Sequence, residues 1–291
     1  MFPPDLPSVS NRPLYVYRVL AKWFSFCFIG SSSVILGLLV FPVMRLIFHP
    51  RERFQKYGRR FISRALQFFI FVMHSLRIVD LDTDDRKKYR QLSSKIIVAT
   101  HPSLLDVVML LSLIPNADCI VNAYLSRHIL MGIVHQLYIL NTGEIDDILH
   151  ACTESLNRGN CLIIFPEGTR TPRSGKVILK KGAARIALAS GCGIVPVHIG
   201  GTDKFGLGKK DPWTGFNPRE RYVYRISMGA EIKPEEYSSL PAPAAAKCIT
   251  EAVRSALFPA AAIAGSEDCG SSETESTTPP QSSGVLNPRH E

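Results

Sequence analysis

A histidine and an aspartate five residues apart are the first chemical signal in the sequence. His101 follows an apolar run, KIIVA, that is typical of a buried strand, and Asp106 lies in the apolar stretch after it. A neutral histidine that is oriented by a carboxylate can remove a proton from an alcohol near neutral pH. The pair alone also fits a purely structural interpretation, in which His101 is a turn residue and Asp106 a solvated charge.

A second polar motif ends another apolar run, in the segment CLIIFPEGTRTPRSGK. Pro166 cannot continue a β-ladder, so the chain must turn there, and Gly168 permits a positive φ and a close backbone approach to a ligand. Arg170 offers a planar set of donors that suits a phosphate or a carboxylate, and Thr169 adds a hydroxyl. Alone, this motif fits an ordinary polar loop equally well.

Together, the two motifs resemble those of the glycerophosphate and lysophosphatidic acid acyltransferase family, membrane-associated enzymes that acylate glycerol-based hydroxyls. HPSLLD and FPEGTR stand at the family's spacing, and LKKGAARIALASGCGIVPVHIG extends the similarity to roughly residues 95–201. The resemblance implies that His101 is the general base and that Asp106 orients it. It also implies that Arg170 binds the phosphate of the acceptor, within a substrate-binding segment that contains Glu167, Gly168 and Thr169.

The chemistry implied by this resemblance needs no nucleophile from the protein, because the acceptor hydroxyl attacks the acyl thioester itself. Consistently, the sequence contains no GxSxG motif. The implied donor is acyl-CoA or acyl carrier protein, and no cofactor or metal is expected. The seven cysteines show no CxxC pair or regular spacing, which argues against a zinc site or a disulfide framework and predicts reduced thiols.

One departure from the family concerns the acceptor. The family has a segment ending in Ile-Asp-Arg whose arginine also binds the acceptor, whereas this chain reads LYILNTGEIDD, with Asn141 and Thr142. Either Arg170 and nearby lysines hold the phosphate alone, or the acceptor is not a standard lysophosphatidic acid. Lys180, Lys181 and the basic residues of PRSGK either add positive charge there or are solvated surface charges.

From residue 95 onward, short apolar runs alternate with amphipathic stretches. This pattern predicts βαβ units, and therefore an α/β fold with a mostly parallel sheet flanked by helices. The predicted strands are KIIVAT, ADCIVNA, CLIIF, GIVPVHI and YVYRISMG. The predicted helices are SLLDVVMLLSLI, RHILMGIVHQLY, IDDILHACTESLNRG and GAARIALASG. The segment DLDTDDRKKYRQ is expected to be a charged connector, and GTDKFGLGKKD an ordinary basic loop because it lacks phosphate-loop spacing.

Membrane-associated helices are predicted before this domain. The uncharged segment from Trp23 to Met44 is long enough to cross a bilayer core of about 30 Å, or it dips into one leaflet as a re-entrant helix. A signal peptide is disfavoured, because the apolar run is too long and no small-residue cleavage site follows it. The next segment, His49 to Val79, predicts an amphipathic helix that lies at a membrane interface or packs on the domain.

The predicted organisation has four parts: a basic segment at 1–20, a membrane-associated helical region at 21–79, an acyltransferase domain at 80–258 and a disordered tail at 259–291. The formal net charge of +9 invites an acidic partner. Because the basic residues cluster around the apolar segments and no nucleic-acid recognition motif occurs, the expected partner is membrane lipid and not nucleic acid. The expected location is an inner or cytoplasmic membrane, with the active site facing the cytosol.

The sequence therefore predicts a membrane-associated O-acyltransferase. It would move a fatty acyl group from acyl-CoA or acyl carrier protein to a hydroxyl of a glycerophospholipid precursor such as 1-acyl-glycerol-3-phosphate. Two alternatives stay open: another lysolipid or lipid as the acceptor, and a catalytically silent lipid-binding protein on the same fold.

Overall fold

The centre of the fold is a seven-stranded sheet. The structure is a computed structural model, and it describes residues 8–122, 137–141, 143–172 and 177–259. The strands, β1 to β7 in chain order, are Val79–Thr83, Ile96–Ala99, Ala117–Asn122, Ile139–Asn141, Cys161–Ile164, Ile194–Gly201 and Tyr222–Met228. Their order across the sheet is β1-β7-β6-β2-β5-β3-β4, and β6 and β7 form its antiparallel pair while the other neighbours are parallel. The predicted α/β class with a mostly parallel sheet is confirmed.

Helices cover both faces of this sheet. The α-helices of the described residues are labelled α1 to α8 in chain order: Arg12–Ile35, Phe41–Ile47, Arg51–Ser75, Arg86–Gln91, Asp106–Leu113, Ile145–Asn157, Gly182–Ser190 and Ala242–Leu257. Side chains of β2 alternate between two cores, as strand geometry requires. Ile97 packs in the core that includes residues of α3 and α5, whereas Ile96 and Val98 pack in the core with α6, α7 and α8.

The segment predicted as a charged connector is structured, so that prediction is wrong. Most of DLDTDDRKKYRQ forms the edge strand β1 and the short helix α4. The acidic residues fit an edge strand because their side chains pair with arginines of the neighbouring chain segment. Asp80 pairs with Arg221, directly before β7, at 2.5 Å, and Asp82 pairs with Arg225 of β7 at 3.3 Å. The aspartates interrupt the apolar pattern that usually identifies a strand. Their arginine partners lie far away in the chain, so this segment alone does not show that the charges are paired.

Two predicted segments lie almost entirely outside the described residues. They are the helix RHILMGIVHQLY, at residues 127–138, and the tail expected at 259–291.

Five cysteines are free thiols in the structure: Cys27, Cys119, Cys152, Cys161 and Cys192. Cys248 is disulfide-bonded, so the prediction that all seven cysteines are reduced is wrong at that residue.

The N-terminal apolar segment forms one helical run, Arg12–Ile47, in which a π-helical turn at Leu36–Val40 joins α1 to α2. This run is long and apolar enough to cross a membrane, judged by length and composition, and little of it is buried. In α1 the buried residues are Ala21, Lys22 and Ser25. The run therefore contacts the rest of the chain at a few positions, with Phe41 of α2 also buried, while most of its apolar side chains face outward.

Helix α3 packs on the domain through one face and exposes the other. Phe69, Ile70 and Met73 are buried in the core shared with α5 and the sheet. Phe68 and Phe71 are exposed. Of the two interpretations of this segment, packing on the domain accounts for the buried face, and the exposed phenylalanines explain why the sequence also resembles an interfacial helix.

A buried ion pair ties α3 to the sheet. Arg59 Nη1 donates to Asp118 Oδ1 at 2.8 Å, and its Nη2 donates to Asn160 Oδ1 at 3.0 Å. Ser155 Oγ also donates to Asp118. Burial raises the pKa of Asp118, and Arg59 opposes that shift by stabilising the charged carboxylate. The arginine is therefore the counter-charge that this buried aspartate requires.

Arg59→Ala should lower the free energy of unfolding by about 3–5 kcal/mol, because it leaves the Asp118 carboxylate buried without its counter-charge. Denaturant unfolding of both proteins in the same detergent measures the difference. The matched control is Arg60→Ala, which truncates the exposed neighbouring arginine and should change the free energy by less than about 0.5 kcal/mol. Equal effects of the two substitutions would contradict the role of Arg59.

Candidate active site

The two sequence motifs meet at the carboxyl ends of neighbouring strands. β2 and β5 pair in parallel, with Val98 opposite Ile164, so HPSLLD and FPEGTR leave the sheet side by side. The His101 ring stacks on Phe165, with 4.1 Å between ring centroids and 25° between planes. Ligands of open α/β sheets bind in crevices at this edge. Topology therefore brings together two motifs that are far apart in the chain.

His101 and Asp106 form the predicted pair. Nδ1 of His101 lies 2.8 Å from Oδ2 of Asp106, whose side chain is fully buried. An ionised carboxylate can only accept, so Nδ1 carries the proton and Nε2 presents its lone pair. No residue in the described part of the chain bonds Nε2, and the His101 side chain is 16% exposed. The pair can therefore accept a proton from a molecule that reaches Nε2.

The helix that follows β2 begins later than predicted. It starts at Asp106, after a turn at residues 103–105, whereas the predicted helix SLLDVVMLLSLI begins at Ser103. Ser103 explains the difference, since its N–H donates to Asp106 Oδ2 and its hydroxyl to Oδ1, both at 2.6 Å. The spacing S-x-x-D is similar to that of a capping box, and the Ser103 N–H donates to the Asp106 carboxylate as in that motif, but the residue before the helix is Leu105, which makes no side-chain cap.

Tyr224 of β7 supports the pair from behind. Its hydroxyl lies 2.7 Å from Ser103 Oγ, and because the Ser103 proton goes to Asp106, Tyr224 is the donor. Burial raises the pKa of Tyr224 well above its ordinary value, so the hydroxyl stays protonated. Hydrogen bonds thus run from Tyr224 through Ser103 and Asp106 to His101. Tyr224 is distant in sequence and had no local signal.

A buried lysine lies behind this relay, in the loop of residues 203–217 between β6 and β7. Lys204 Nζ donates to the carbonyls of Gly200 at 3.3 Å, Val223 at 2.9 Å and Thr202, and lies 4.6 Å from the ring centroid of Tyr224. Burial lowers the pKa of Lys204 to about 8, and the Asp106 charge opposes the shift. The interpretation of GTDKFGLGKKD as an ordinary basic loop is therefore wrong at Lys204. The sequence of the loop does not show that three backbone carbonyls surround this ammonium in the folded chain.

The FPEGTR turn has the predicted conformation at Gly168. Its φ is +66°, and its N–H donates to the Phe165 carbonyl at 3.0 Å. A Cβ at this position would lie 2.7 Å from Nζ of Lys180, so Lys180 places its ammonium over the turn. Lys181 is exposed at the N-terminus of α7, and residues 173–176 of PRSGK lie outside the described residues.

Glu167 and Thr171 join this turn to the backbone of His101. Thr171 Oγ1 donates to Glu167 Oε1 at 2.6 Å and accepts from the His101 N–H at 3.1 Å. The Thr171 N–H donates in turn to the His101 carbonyl at 2.7 Å. Burial raises the pKa of Glu167, whose Oε2 is buried and has no partner among the described residues. Glu167 therefore shapes the site, while Thr171 is a contributor that the motif comparison missed.

One nitrogen of the Arg170 guanidinium group is bound by backbone carbonyls. Nη1 donates to the carbonyls of Leu207 and Gly208, both at 2.9 Å. An arginine has five N–H donors, and the other three have no partner in the described part of the chain. Thr169 is exposed beside it. Side-chain positions at Asn141 and Thr142, where the family has an arginine, lie outside the described set.

Comparison with known proteins identifies similar acyltransferases. Residues 80–200 match the family model described as Acyltransferase. This match supports the resemblance of the two motifs to the glycerophosphate and lysophosphatidic acid acyltransferase family. The crystal structure of the 1-acyl-sn-glycerophosphate acyltransferase PlsC from Thermotoga maritima has the same fold, with a TM-score of 0.57 and 22% identity over 84% of this chain and 95% of that one.

Two curated relatives are chloroplastic 1-acyl-sn-glycerol-3-phosphate acyltransferases. The protein of Brassica napus is 29% identical over 190 residues, which are 62% of this chain and 53% of that protein. The protein of Arabidopsis thaliana is 26% identical over 189 residues, 62% of this chain and 51% of that protein. The chain thus matches about half the length of these relatives.

Raising the pH should stabilise the wild type relative to Lys204→Met. An unfolded lysine keeps a pKa near 10.5, while folding lowers that of Lys204 to about 8, so between these values the unfolded state binds more protons. Stability therefore rises with pH in this window, and the wild type should gain about 2 kcal/mol over the variant between pH 7 and pH 9.5. Urea unfolding at both pH values measures the gain.

The matched control for this experiment is Lys209→Met, an exposed lysine of the same loop. Its difference from the wild type should not change over the same pH range. A Lys204→Met difference that stays constant or moves in the opposite direction would show that Lys204 is not a desolvated ammonium at neutral pH.

Proposed function

We propose that this protein transfers a fatty acyl group from an acyl thioester to the free hydroxyl of 1-acyl-glycerol-3-phosphate or a closely related lysolipid. One observation carries the proposal: the buried Asp106 holds His101 with Nε2 open, beside a turn whose Arg170 has three unpartnered donors among the described residues. The first group suits deprotonation of an alcohol, and the second suits binding of a phosphate. The names of the relatives support the same reaction.

Catalysis would begin with proton removal by His101. Nε2 takes the proton of the acceptor hydroxyl as its oxygen attacks the thioester carbonyl, and a tetrahedral intermediate forms. Asp106 holds the Nδ1 proton and stabilises the imidazolium. The intermediate then collapses, the carbon–sulfur bond breaks, and the leaving thiolate takes the proton from Nε2. The protein supplies a base and its orienter, and the substrate supplies the nucleophile.

Phosphate recognition would rest on Arg170, with Lys180 adding positive charge. The Leu207 and Gly208 carbonyls fix one nitrogen of the guanidinium, so its remaining donors have a set direction. The Lys180 ammonium lies over Gly168 in the same turn. These two cations can replace the arginine that the family has near Asn141, which supports a phosphate-bearing acceptor. Glu167, Gly168 and Thr169 form the rest of the proposed acceptor site.

Membrane lipid is the proposed partner, reached through the N-terminal helices. Leu38, Leu39, Leu46 and Ile47 of the run Arg12–Ile47 are each more than half exposed, which is a cost in water and an advantage in lipid. The proposed location is an inner or cytoplasmic membrane with the site facing the cytosol. There the acyl-CoA or acyl carrier protein donor, a co-substrate and not a bound cofactor, meets a lipid acceptor.

His101→Ala and Asp106→Asn should each lower the rate of acyl transfer by at least about a thousandfold, since the first removes the base and the second removes its orienting charge. The measurement is formation of labelled phosphatidic acid from 1-acyl-glycerol-3-phosphate and oleoyl-CoA in vesicles, at equal protein. His150→Ala, which removes an exposed histidine on α6, is the control and should match the wild type.

Near wild-type turnover by both variants would disprove this mechanism. The alternative of a silent lipid-binding protein makes a different prediction: the wild type would bind lysolipids but form no product with either thioester donor. Product from a lysolipid without a phosphate, and none from 1-acyl-glycerol-3-phosphate, would keep the reaction and change the acceptor.

A further inference from the structure

One charged side chain of the apolar N-terminal helix is buried in the catalytic domain. Lys22 of α1 is the last charge before the uncharged segment that starts at Trp23, and it is fully buried. Its Nζ donates to the carbonyls of Trp213 at 2.7 Å, Gly215 at 2.5 Å and Gly206 at 3.5 Å. Burying an ammonium is costly unless its donors are paired, so these carbonyls and Lys22 hold each other in place.

Aromatic and polar contacts extend this attachment. Trp23 and Phe26 lie against Trp213, with ring centroids 6.1 and 6.0 Å apart. The Phe216 N–H donates to the Tyr15 hydroxyl at 3.3 Å. All of these contacts from α1 reach the 203–217 loop. The loop is therefore a docking surface for the N-terminal helix within the same chain.

The backbone of the 203–217 loop is closely packed where it meets the Lys22 ammonium. Gly206 has a φ of +90°, and a Cβ there would collide with the Gly215 carbonyl and lie 3.0 Å from Lys22 Nζ. Asp211 Oδ2 accepts from the N–H groups of Gly206 and Gly208, at 2.9 and 3.0 Å. The carbonyls that meet Lys22 therefore belong to a tightly closed loop.

The same loop also holds the proposed phosphate ligand. Gly206, which contacts Lys22, is followed directly by Leu207 and Gly208, whose carbonyls accept from Arg170 Nη1. The Leu207 carbonyl accepts from the Leu104 N–H as well, at 3.1 Å, and thereby reaches the HPSLLD motif. Lys22 and Arg170 thus bind consecutive carbonyls of one short segment.

We propose that Lys22 is a positioning residue for phosphate recognition. By fixing the carbonyls of residues 206, 213 and 215, it sets the positions of the next two carbonyls, which in turn orient Arg170 toward the acceptor. This inference rests on the proposed function, because it assigns the acceptor phosphate to Arg170. It also gives the N-terminal helix a role in the active site that anchoring alone does not require.

The test is a kinetic comparison of full-length wild type and Lys22→Met in phospholipid vesicles, with oleoyl-CoA or oleoyl-acyl carrier protein as donor. The KM for 1-acyl-glycerol-3-phosphate should rise about tenfold or more, while the KM for the donor and kcat at saturating acceptor stay near wild type. Lys22→Gln, which keeps a neutral donor, should give a smaller rise. Arg12→Met removes an exposed charge of the same helix and should change neither KM.

A double-mutant cycle makes the test specific. Arg170→Met should raise the acceptor KM on its own, and adding Lys22→Met to it should raise the KM little further, because both act through one contact. Equal losses with donor and acceptor, or fully additive effects of the two substitutions, would overturn the role of Lys22 alone. A wild type that forms no product with either donor would instead overturn the proposed function, and this assignment with it.

Discussion

The burial of one carboxylate constrains most of the site. Asp106 is fully buried, and a buried charge is tolerated only when hydrogen bonds and counter-charges surround it. Ser103 supplies two donors and His101 a third, while Tyr224 and the Lys204 ammonium stand behind them. These partners come from the turn after β2, from β7 and from the loop between β6 and β7. Satisfying Asp106 therefore brings three separate parts of the chain together, and it leaves Nε2 of His101 facing outward.

A second set of contacts aligns the acceptor side with this base. Thr171 exchanges hydrogen bonds with the backbone of His101, so the FPEGTR turn cannot move independently of the HPSLLD motif. The Leu207 carbonyl accepts from both Arg170 and Leu104. Proton removal and phosphate binding are thus coupled through backbone groups, and the burial of Lys22 in the same loop extends that coupling to the N-terminal helix. Such positioning is worth a large part of the barrier in a reaction between two bound substrates.

Local patterns in the sequence were sufficient for most of the central strands and for the two motifs. Apolar runs of β2, β3, β5, β6 and β7 predicted strands, and Gly168 predicted a positive φ, because these features depend on neighbouring residues. β1 was missed because its aspartates pair with arginines at β7. Tyr224, Lys204 and Lys22 were missed because their partners are set by sheet order and loop closure. Ser103 is the exception, since its S-x-x-D spacing was visible beforehand.

The most direct test of the central claim is the distance between Nε2 of His101 and the free hydroxyl of the acceptor, measured in a structure of the protein with bound 1-acyl-glycerol-3-phosphate. We predict a separation of about 2.6–3.2 Å, with the phosphate on the free donors of Arg170. A hydroxyl held out of hydrogen-bond reach of Nε2, with no water between them, while the phosphate occupies a different surface, would contradict the assignment of base and acceptor site.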